Sequence, residues 1–544
     1  MSADVVIAGG GPNGLMLACE LSLAGVRAVV LERLPERTRE NRANGLVGQV
    51  VPLLERRGLY ERLSGSKEPP APAPGFVFGA LPLDLSALAD NPLHLLQVPQ
   101  LRIEELLEER ANELGVEIRR GHEITGLSQQ DDTVTIEVAG PAGPYRTHAS
   151  FLVGADGGRS VTRRLAGIGF PGVSRDTTVS RTVHATVPDS MLDPATGGLY
   201  VPGHGPIPAF LHHRTEHGLF VYAPLPGRPP LLTTMEWPQD PPGDERPPTL
   251  EEMRDSVRRV LGADLPLGEP AGEGPFPRRK LAGGNTRIAD RYREGRVLLV
   301  GDAAHVHSAI GGPGLNLGLQ DVVNLGWKLA AEVHGRAPAG LLDTYESERR
   351  PASERVVMHT QAQSALIAPG GEVTALRELF TELLGDRRNV QRIADMMAGA
   401  DIRYDMGPAD AHPLVGWWVP DLLLDTGTGR VRLAALTVAA RPLLLDLTER
   451  GSLAGALPGW HDRVDVITAS LHNPVTTSPH APLTASPRDS VTARPHDQAA
   501  PLTALLLRPD CYVAWASVSP RPGSDEREDL RAALSRWFGA PLAA

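Results

Sequence analysis

The chain reads as an α/β protein organised around a parallel sheet. A β-rich segment is inserted into that sheet, and a strand-rich region follows it. Three observations predict this. Met1 to Glu32 forms a strand–glycine turn–helix–strand–acid unit. Two further apolar runs end in an acid, at Asp156 and at Asp302. Between those two acids prolines and glycines multiply, and short β-type runs replace the helical period.

Bulk properties narrow the function classes. At 544 residues the chain is too long for one core, and about three domains is the expectation. A net charge of −11 with no long basic run argues against a nucleic-acid partner. No apolar stretch reaches transmembrane length. The first strand begins by residue 4, which leaves no space for a signal peptide, so a cytoplasmic location is expected. Cys19 and Cys511 form no CxxC pair, consistent with a reducing compartment, and Cys19 reads as a packing residue on the first helix.

The first unit carries the strongest signal. After Val5-Val6-Ile7, Gly9 allows a tight turn off the strand, Gly11 lets backbone approach a pyrophosphate, and Gly14 lets the helix pack against the sheet. Pro12 and Asn13 open the helix, whose free N–H groups and positive dipole end favour phosphate. Glu32, at the end of the Val29-Val30-Leu31 strand, stands where an acid accepts ribose hydroxyls. This is a Rossmann-like unit, and it does not say which dinucleotide binds. Arg33 follows directly. Arg42, in the polar stretch beyond, either reaches back to the dinucleotide phosphates or is solvated.

A helix is expected from about Gln49 to Arg57, then a loop and hairpin over 65–96. Gln100 precedes a helix with Ile103, Leu106, Leu107 and Leu114 on one face, ended by Gly115. Val116-Glu117-Ile118 is a further parallel strand. Ile124 to Val138 reads as an antiparallel ribbon turning at Asp131-Asp132. The next apolar run ends in Gly154-Ala155-Asp156-Gly157, with Ser160 placed to cap a helix at Val161. An acid there fits a ligand site at the carboxyl end of a strand, although Asp-Gly is also an ordinary turn.

Residues 175–275 are expected to form the inserted β-rich domain, with one helix over Thr249 to Leu261. Its aromatics Phe210, Phe220, Tyr222 and Trp237 are candidates for a pocket accepting a flat apolar substrate, with ordinary sheet core the favoured reading for any one of them. Val297 to Val300 then leads into Gly301-Asp302. The loop Gly311-Gly312-Pro313-Gly314-Leu315-Asn316 opens a long helix to about Val333, again an anion site. His305 and His307 straddle Val306, and no metal-ligand spacing surrounds them, so no metal is expected. From His412 the pattern returns to strands, closing with a helix that includes Leu530, Leu534 and Trp537. Residues 472–500, rich in Pro, Thr, Ser and His, read as a flexible insertion.

These three motifs in this order resemble the class A flavin monooxygenases of the para-hydroxybenzoate hydroxylase fold, most closely the aromatic polyketide hydroxylases of antibiotic biosynthesis. The resemblance covers essentially the whole chain. It implies an α/β fold: a discontinuous Rossmann-like FAD-binding domain (1–174 and 276–395), an inserted β-sheet substrate domain (175–275) and a thioredoxin-like C-terminal domain (396–544) without CxxC. It implies FAD, held at the ADP end by Gly9, Gly11, Pro12, Asn13, Gly14, Glu32 and Arg33. Asp302 would bind ribitol or pyrophosphate oxygens, and Gly312, Pro313, Gly314, Leu315 and Asn316 would face the flavin pyrimidine edge. Arg42 and Gln100 match family positions that contact FAD, and Asp156 a motif shared between FAD and the pyridine nucleotide.

By the same resemblance NADPH or NADH is a transient co-substrate, O₂ adds at flavin C4a, and a polycyclic aromatic polyketide is oxygenated. A protonated adduct hydroxylates a phenolic ring; a deprotonated one inserts oxygen beside a ketone, the Baeyer–Villiger outcome. Arg42 is the one candidate catalytic side chain, favouring the anionic form or holding substrate. Hydroxylation is the leading expectation, and a homodimer is possible. The chain departs from the family at Ser308-Ala309-Ile310-Gly311-Gly312-Pro313-Gly314, where relatives commonly carry Pro-Pro-Ala-Gly-Gly-Gln-Gly, and at Gln49, where many carry arginine. Two other readings stand outside the class: an NAD-linked dehydrogenase using the first motif alone, and a nucleotide-binding scaffold without turnover.

Overall fold

Local sequence preferences build the first layer, and a computed structural model describes how they assemble. It describes residues 3–38, 43–173, 178–225, 227–238, 246–272, 274, 276, 278–407, 412–448, 451–472 and 502–542. Strand β1 (Ala3–Ala8) turns at Gly9 into helix α1 (Pro12–Leu23), which returns to β2 (Ala28–Glu32). Where a helix to Arg57 was expected, α2 (Val50–Glu55) stops two residues earlier, and a separate short helix covers Tyr60–Ser64. The expected hairpin is present as Gly75–Phe78 paired with Leu81–Asp84. Helix α3 (Gln100–Glu113) buries Ile103, Leu106 and Leu107 and leads into β3 (Glu117–Arg120).

The ribbon β4 (Glu123–Gln130) and β5 (Thr133–Gly140) pairs antiparallel with the first half of β6 (Gly143–Gly154). The second half of β6 runs parallel to β1, with Val5 opposite Phe151 and Ile7 opposite Val153. One 12-residue strand therefore joins a solvent-facing ribbon to a buried parallel sheet. Short α4 (Val161–Leu165) follows.

The inserted unit is a five-stranded antiparallel sheet. It contains β7 (Val179–His184), β8 (His212–Arg214), β9 (Leu219–Ala223), β10 (Leu231–Glu236) and β11 (Arg279–Ala282), in the order β8-β9-β10-β7-β11. Helix α5 (Leu250–Leu261) lies on one face. It starts with a capping box between Thr249 and Glu252 and ends at Gly262, in the left-handed region at φ +66°.

The chain then rejoins the first sheet through β12 (Arg293–Glu294) and β13 (Val297–Leu299), giving the order β12-β13-β6-β1-β2-β3. Helix α6 (Pro313–Val333) packs against α1, and α7 (Thr344–Ile367) and α8 (Arg387–Ala398) follow. The principal core joins Val5, Ile7, Leu15, Leu17, Val30, Leu298 and Leu325, all fully buried.

The C-terminal unit has six strands: β14 (Leu423–Thr426), β15 (Gly429–Arg432), β16 (Leu443–Asp446), β17 (Asp465–Leu471), β18 (Ala504–Leu507) and β19 (Val513–Ser517). Their order is β15-β14-β17-β16-β18-β19, with β16 and β17 parallel and the other pairs antiparallel. Helix α9 (Ser524–Phe538) closes the unit. Its core reaches across to Trp327 on α6, which meets Trp537 and Phe538.

Buried charge fixes this unit to the first. Arg508 reaches Glu348 at 2.6 Å, Lys328 reaches the same carboxylate at 2.7 Å, and Arg57 pairs with Glu20 at 2.6 Å while donating to Pro509 O. Burial alone would raise the Glu348 pKa, but Arg508 and Lys328 outweigh it and hold the group ionised. Lys328 is pushed by burial to about 8. Among the described residues no helix is long and apolar enough to cross a membrane.

Candidate FAD and substrate site

Two glycine-led helix N-termini lack side-chain caps. Helix α1 starts from Gly11 and α6 from Gly312, and neither has a capping side-chain hydrogen bond. Uncapped N–H groups at a dipole's positive end call for an anion or an electronegative edge. Space is provided at both: a Cβ on Gly11 or on Gly312 would meet nothing within 4 Å. At Gly14 the opposite holds, because a Cβ there would overlap Gly9 O. Gly9 itself, at φ +106°, passes so close to Ala155 that a Cβ would stand 2.5 Å from its carbonyl oxygen. The first glycine turns, the second leaves space, and the third packs.

Asn13 ties this turn to the third motif. Its amide lies between Gly301 and Gly318, where a Cβ on either would overlap it, and its Oδ1 is buried with no partner in the described residues. Glu32 accepts from Gly10 N at 2.7 Å and from Leu34 N at 2.8 Å. The expected ribose acid is therefore also a clamp on the glycine turn. Arg33 is exposed. Asp302 stands exposed on the turn after β13. Asn316 donates to Gly312 O at 2.7 Å and accepts from Val47 N at 3.0 Å, so its side chain holds the loop closed and joins it to the strand at 46–47. Pro313 occupies the first helical position and Leu315 is half-buried.

Other expected site residues are placed differently. Asp156 accepts from Ser160 Oγ, from Thr162 N at 2.9 Å and from Thr162 Oγ1 at 3.0 Å. Its carboxylate is thus engaged by the start of α4, a cap that the Asp-Gly-x-x-Ser pattern signals only in part. Gln100 donates to Glu104 at 2.7 Å, one helical turn on. Arg42 lies outside the described residues.

The aromatic pocket needs correction. Phe220 and Tyr222 are buried beneath α5 with Leu232, Met253 and Val257, and line no open face. Phe210 is 48% exposed at φ +61°, and Trp237 is half-buried just beyond β10. Register shows what aromatic content could not. Thr182, Thr233 and Val221 are adjacent, on the sheet face turned away from α5, and all three are half-buried. Strand alternation sends neighbours of Phe220 to the opposite side. That second face is the one the sequence reasoning missed.

Beneath the α6 start lies a buried polar chain. His305 donates through Nε2 to Asp321 at 2.7 Å, and Arg349 donates to the same carboxylate at 2.8 Å and to Tyr404 OH at 3.0 Å. Burial would raise the Asp321 pKa, but His305 and Arg349 reverse the sign and keep it an anion. Asp321 also accepts from Gly301 N at 3.3 Å, so it holds the Gly301-Asp302 turn from below. No group of three or more potential metal ligands occurs among the described residues.

Glycine turn, uncapped helix starts, open backbone and an acid clamped onto the turn are the features of a dinucleotide site in an α/β protein, and the residues present fit a flavin nucleotide. Comparison with known proteins agrees: residues 2–360 match the FAD binding domain family, and residues 412–541 the C-terminal domain of aromatic-ring hydroxylases. The chain is 40% identical to a 12-dehydrotetracycline 5-monooxygenase/anhydrotetracycline 6-monooxygenase of Streptomyces rimosus, covering 99% of this chain and 100% of that one. Among solved structures it matches OxyS anhydrotetracycline hydroxylase from Streptomyces rimosus (TM-score 0.81, 39% identity, 99% and 100% of the two chains). It also matches CabE, an aromatic hydroxylase from angucycline biosynthesis (TM-score 0.80, 37% identity, with the same coverage). The chain belongs to the FAD-dependent aromatic-ring hydroxylase family. It is a flavin monooxygenase, and FAD is its cofactor.

Proposed function

We propose that this monooxygenase uses NADPH or NADH and O₂ to hydroxylate a polycyclic aromatic polyketide in antibiotic biosynthesis. The observation that carries the reading is full-length likeness to hydroxylases of tetracycline and angucycline frameworks, on a chain whose two uncapped helix starts and open glycines accept FAD. Gly11 and the α1 N-terminus would bind the pyrophosphate, and Glu32 the adenosine ribose, while still holding Gly10. Gly312 to Asn316 would meet the flavin pyrimidine edge, where the dipole of the 21-residue α6 favours negative charge. Bound FAD supplies electron transfer from the reduced nucleotide and the activation of oxygen. The chain supplies orientation and exclusion of water. Asn316 fixes the Gly312 loop and Asp321 the Gly301-Asp302 turn, the two segments that would hold the flavin. The Thr182–Val221–Thr233 face, where the two hydroxyls bond each other at 3.0 Å, would form one wall for a flat substrate.

The division 1–174 with 276–395, 175–275 and 396–544 is supported by a core for each unit, the C-terminal one also taking in Trp327 and Leu341 of the first. A thioredoxin-like C-terminal unit is supported by parallel β16–β17, antiparallel β18 and β19, and the closing α9.

The test is mass spectrometry of products formed from NADPH, ¹⁸O₂ and a panel of aromatic polyketides with the FAD-loaded enzyme. One ¹⁸O atom with the ring carbons intact is expected. A lactone would instead make the reaction Baeyer–Villiger insertion. No incorporation with any tetracyclic or angular polyketide overturns the reading.

A further inference from the structure

One buried guanidinium joins the first unit to the C-terminal one. Arg349, on α7, is 1% exposed. Its Nε donates to Asp321 Oδ1 at 2.8 Å and its Nη2 to Leu317 O at 3.4 Å, both on α6. Its Nη1 donates to Tyr404 OH at 3.0 Å. Tyr404 belongs to the C-terminal core. Its N–H donates to Gly416 O at 2.9 Å, its ring stacks on Tyr512 with centroids 3.9 Å apart, and the Arg508 guanidinium lies 5.1 Å from the ring centroid. A guanidinium is a rigid plane, so fixing one of its nitrogens fixes the direction of the others.

The other end of the path is the turn after β13. Asp321 takes Arg349 on Oδ1, and on Oδ2 it accepts from His305 Nε2 at 2.7 Å and from Gly301 N at 3.3 Å. Gly301 stands at φ +58°, and a Cβ there would overlap the Asn13 amide, so the turn is closed in on the side of α1. Gly301, His305, Asp321, Arg349 and Tyr404 are all buried. A bond lost between them is therefore not made good by bulk water. Three hydrogen bonds, each between named atoms, thus run from Tyr404 in the C-terminal core to the backbone of the Gly301-Asp302 turn.

We infer that Tyr404 is a positioning residue for the cofactor: through Arg349 and Asp321 it sets the Gly301-Asp302 turn, which makes the C-terminal unit part of the apparatus that holds FAD. The inference rests on the reading above that this turn meets the flavin nucleotide. Tyr404 acts only through other side chains. Without its hydroxyl, Arg349 Nη1 loses its acceptor, and the guanidinium is free to turn away from Asp321 Oδ1. His305 and Gly301 both bond the other oxygen, so they cannot set the plane of the carboxylate by themselves. The unit lacks CxxC and needs no chemistry of its own for this task.

The test is a double-mutant cycle on the full chain, read as the FAD Kd by flavin fluorescence, with urea unfolding of each apoprotein alongside. Tyr404→Phe keeps the ring stack and should raise the Kd about five- to ten-fold, the worth of one buried hydrogen bond. Asp302→Ala should raise it as well. In the Asp302→Ala background the factor for Tyr404→Phe should fall below about two-fold, because the turn then has no side chain left to position. Equal factors in the two backgrounds, the result of a general loosening of the fold, overturn the inference. Leu505→Val, in the same C-terminal core and off the path, is the structural control: it should lower the urea midpoint and leave the Kd within about two-fold. A control that shifts the Kd as far as Tyr404→Phe also overturns the inference. If Tyr404→Phe does not fold, Arg349→Lys decides, since it keeps the charge beside Asp321, loses the fork and should show the same dependence on Asp302. Native FAD affinity in Asp302→Ala removes the turn from the cofactor site, a failure of the reading underneath. Native affinity in Tyr404→Phe with weakened Asp302→Ala leaves that reading standing and overturns the inference alone.

Discussion

Replacing Gly11 by alanine separates what this glycine does for folding from what it does for the cofactor. Gly11 has φ −79° and ψ −176°, a backbone state open to any L-residue. A Cβ there would meet no protein atom within 4 Å. The folded apoprotein therefore tolerates alanine, and the loss of unfolded-state freedom should stabilise it by about 0.4–1 kcal/mol. The new methyl group occupies the space beside the uncapped α1 N-terminus, where the phosphates would approach. Losing one charge-assisted N–H contact there costs about 1.5–3 kcal/mol, a rise of roughly 10- to 150-fold in the FAD Kd. Gly14→Ala is the contrast. Its Cβ would overlap Gly9 O, so fold and binding should both fail. Thermal melting of the apoprotein and fluorescence titration with FAD measure the two effects separately. If Gly11→Ala binds FAD as the native protein does, the open space is not the phosphate site. If its apoprotein melts markedly lower, the account of the turn is wrong.

Three further outcomes are expected. Arg508→Leu leaves Glu348 and Asp510 buried beside Lys328 alone, and urea unfolding should show a loss of about 3–5 kcal/mol; a change below about 1 kcal/mol would contradict the role of that pair in docking the C-terminal unit. Asp156→Ala removes the acceptor for Thr162 N and should lower stability by about 1–2 kcal/mol in a calorimetric scan with no nucleotide present, whereas an effect confined to NADPH affinity would make Asp156 a ligand rather than a cap. Stability should also fall as pH drops from about 6.5 to 4: His307 and His359 are held by burial near 4, so the unfolded chain binds more protons across that window, at up to ~3 kcal/mol for each ring. His359→Gln should flatten that pH profile, and an unchanged slope would show that other groups set it.

The sequence by itself determined the elements and the nucleotide turn. Gly9, Gly11 and Gly14 between two apolar runs admit one local geometry, because only glycine satisfies a positive φ at Gly9 and the close helix contact at Gly14. Thr249 with Glu252 marks the start of α5 in the same local way. Relations between distant segments were decided only in the tertiary structure. Phe220 is as aromatic in either orientation, and strand register sends it beneath α5 and turns Val221 with Thr182 to the opposite face. Asp156 and Asp302 look equivalent as acids after a strand, yet one carboxylate meets the start of α4 and the other stands exposed. His359 and His307 lie 52 positions apart, on a helix and a loop with no shared motif. Their proton positions follow from Gln363 and from Ser308 O, and a hydrogen bond's direction depends on partners that no local pattern encodes.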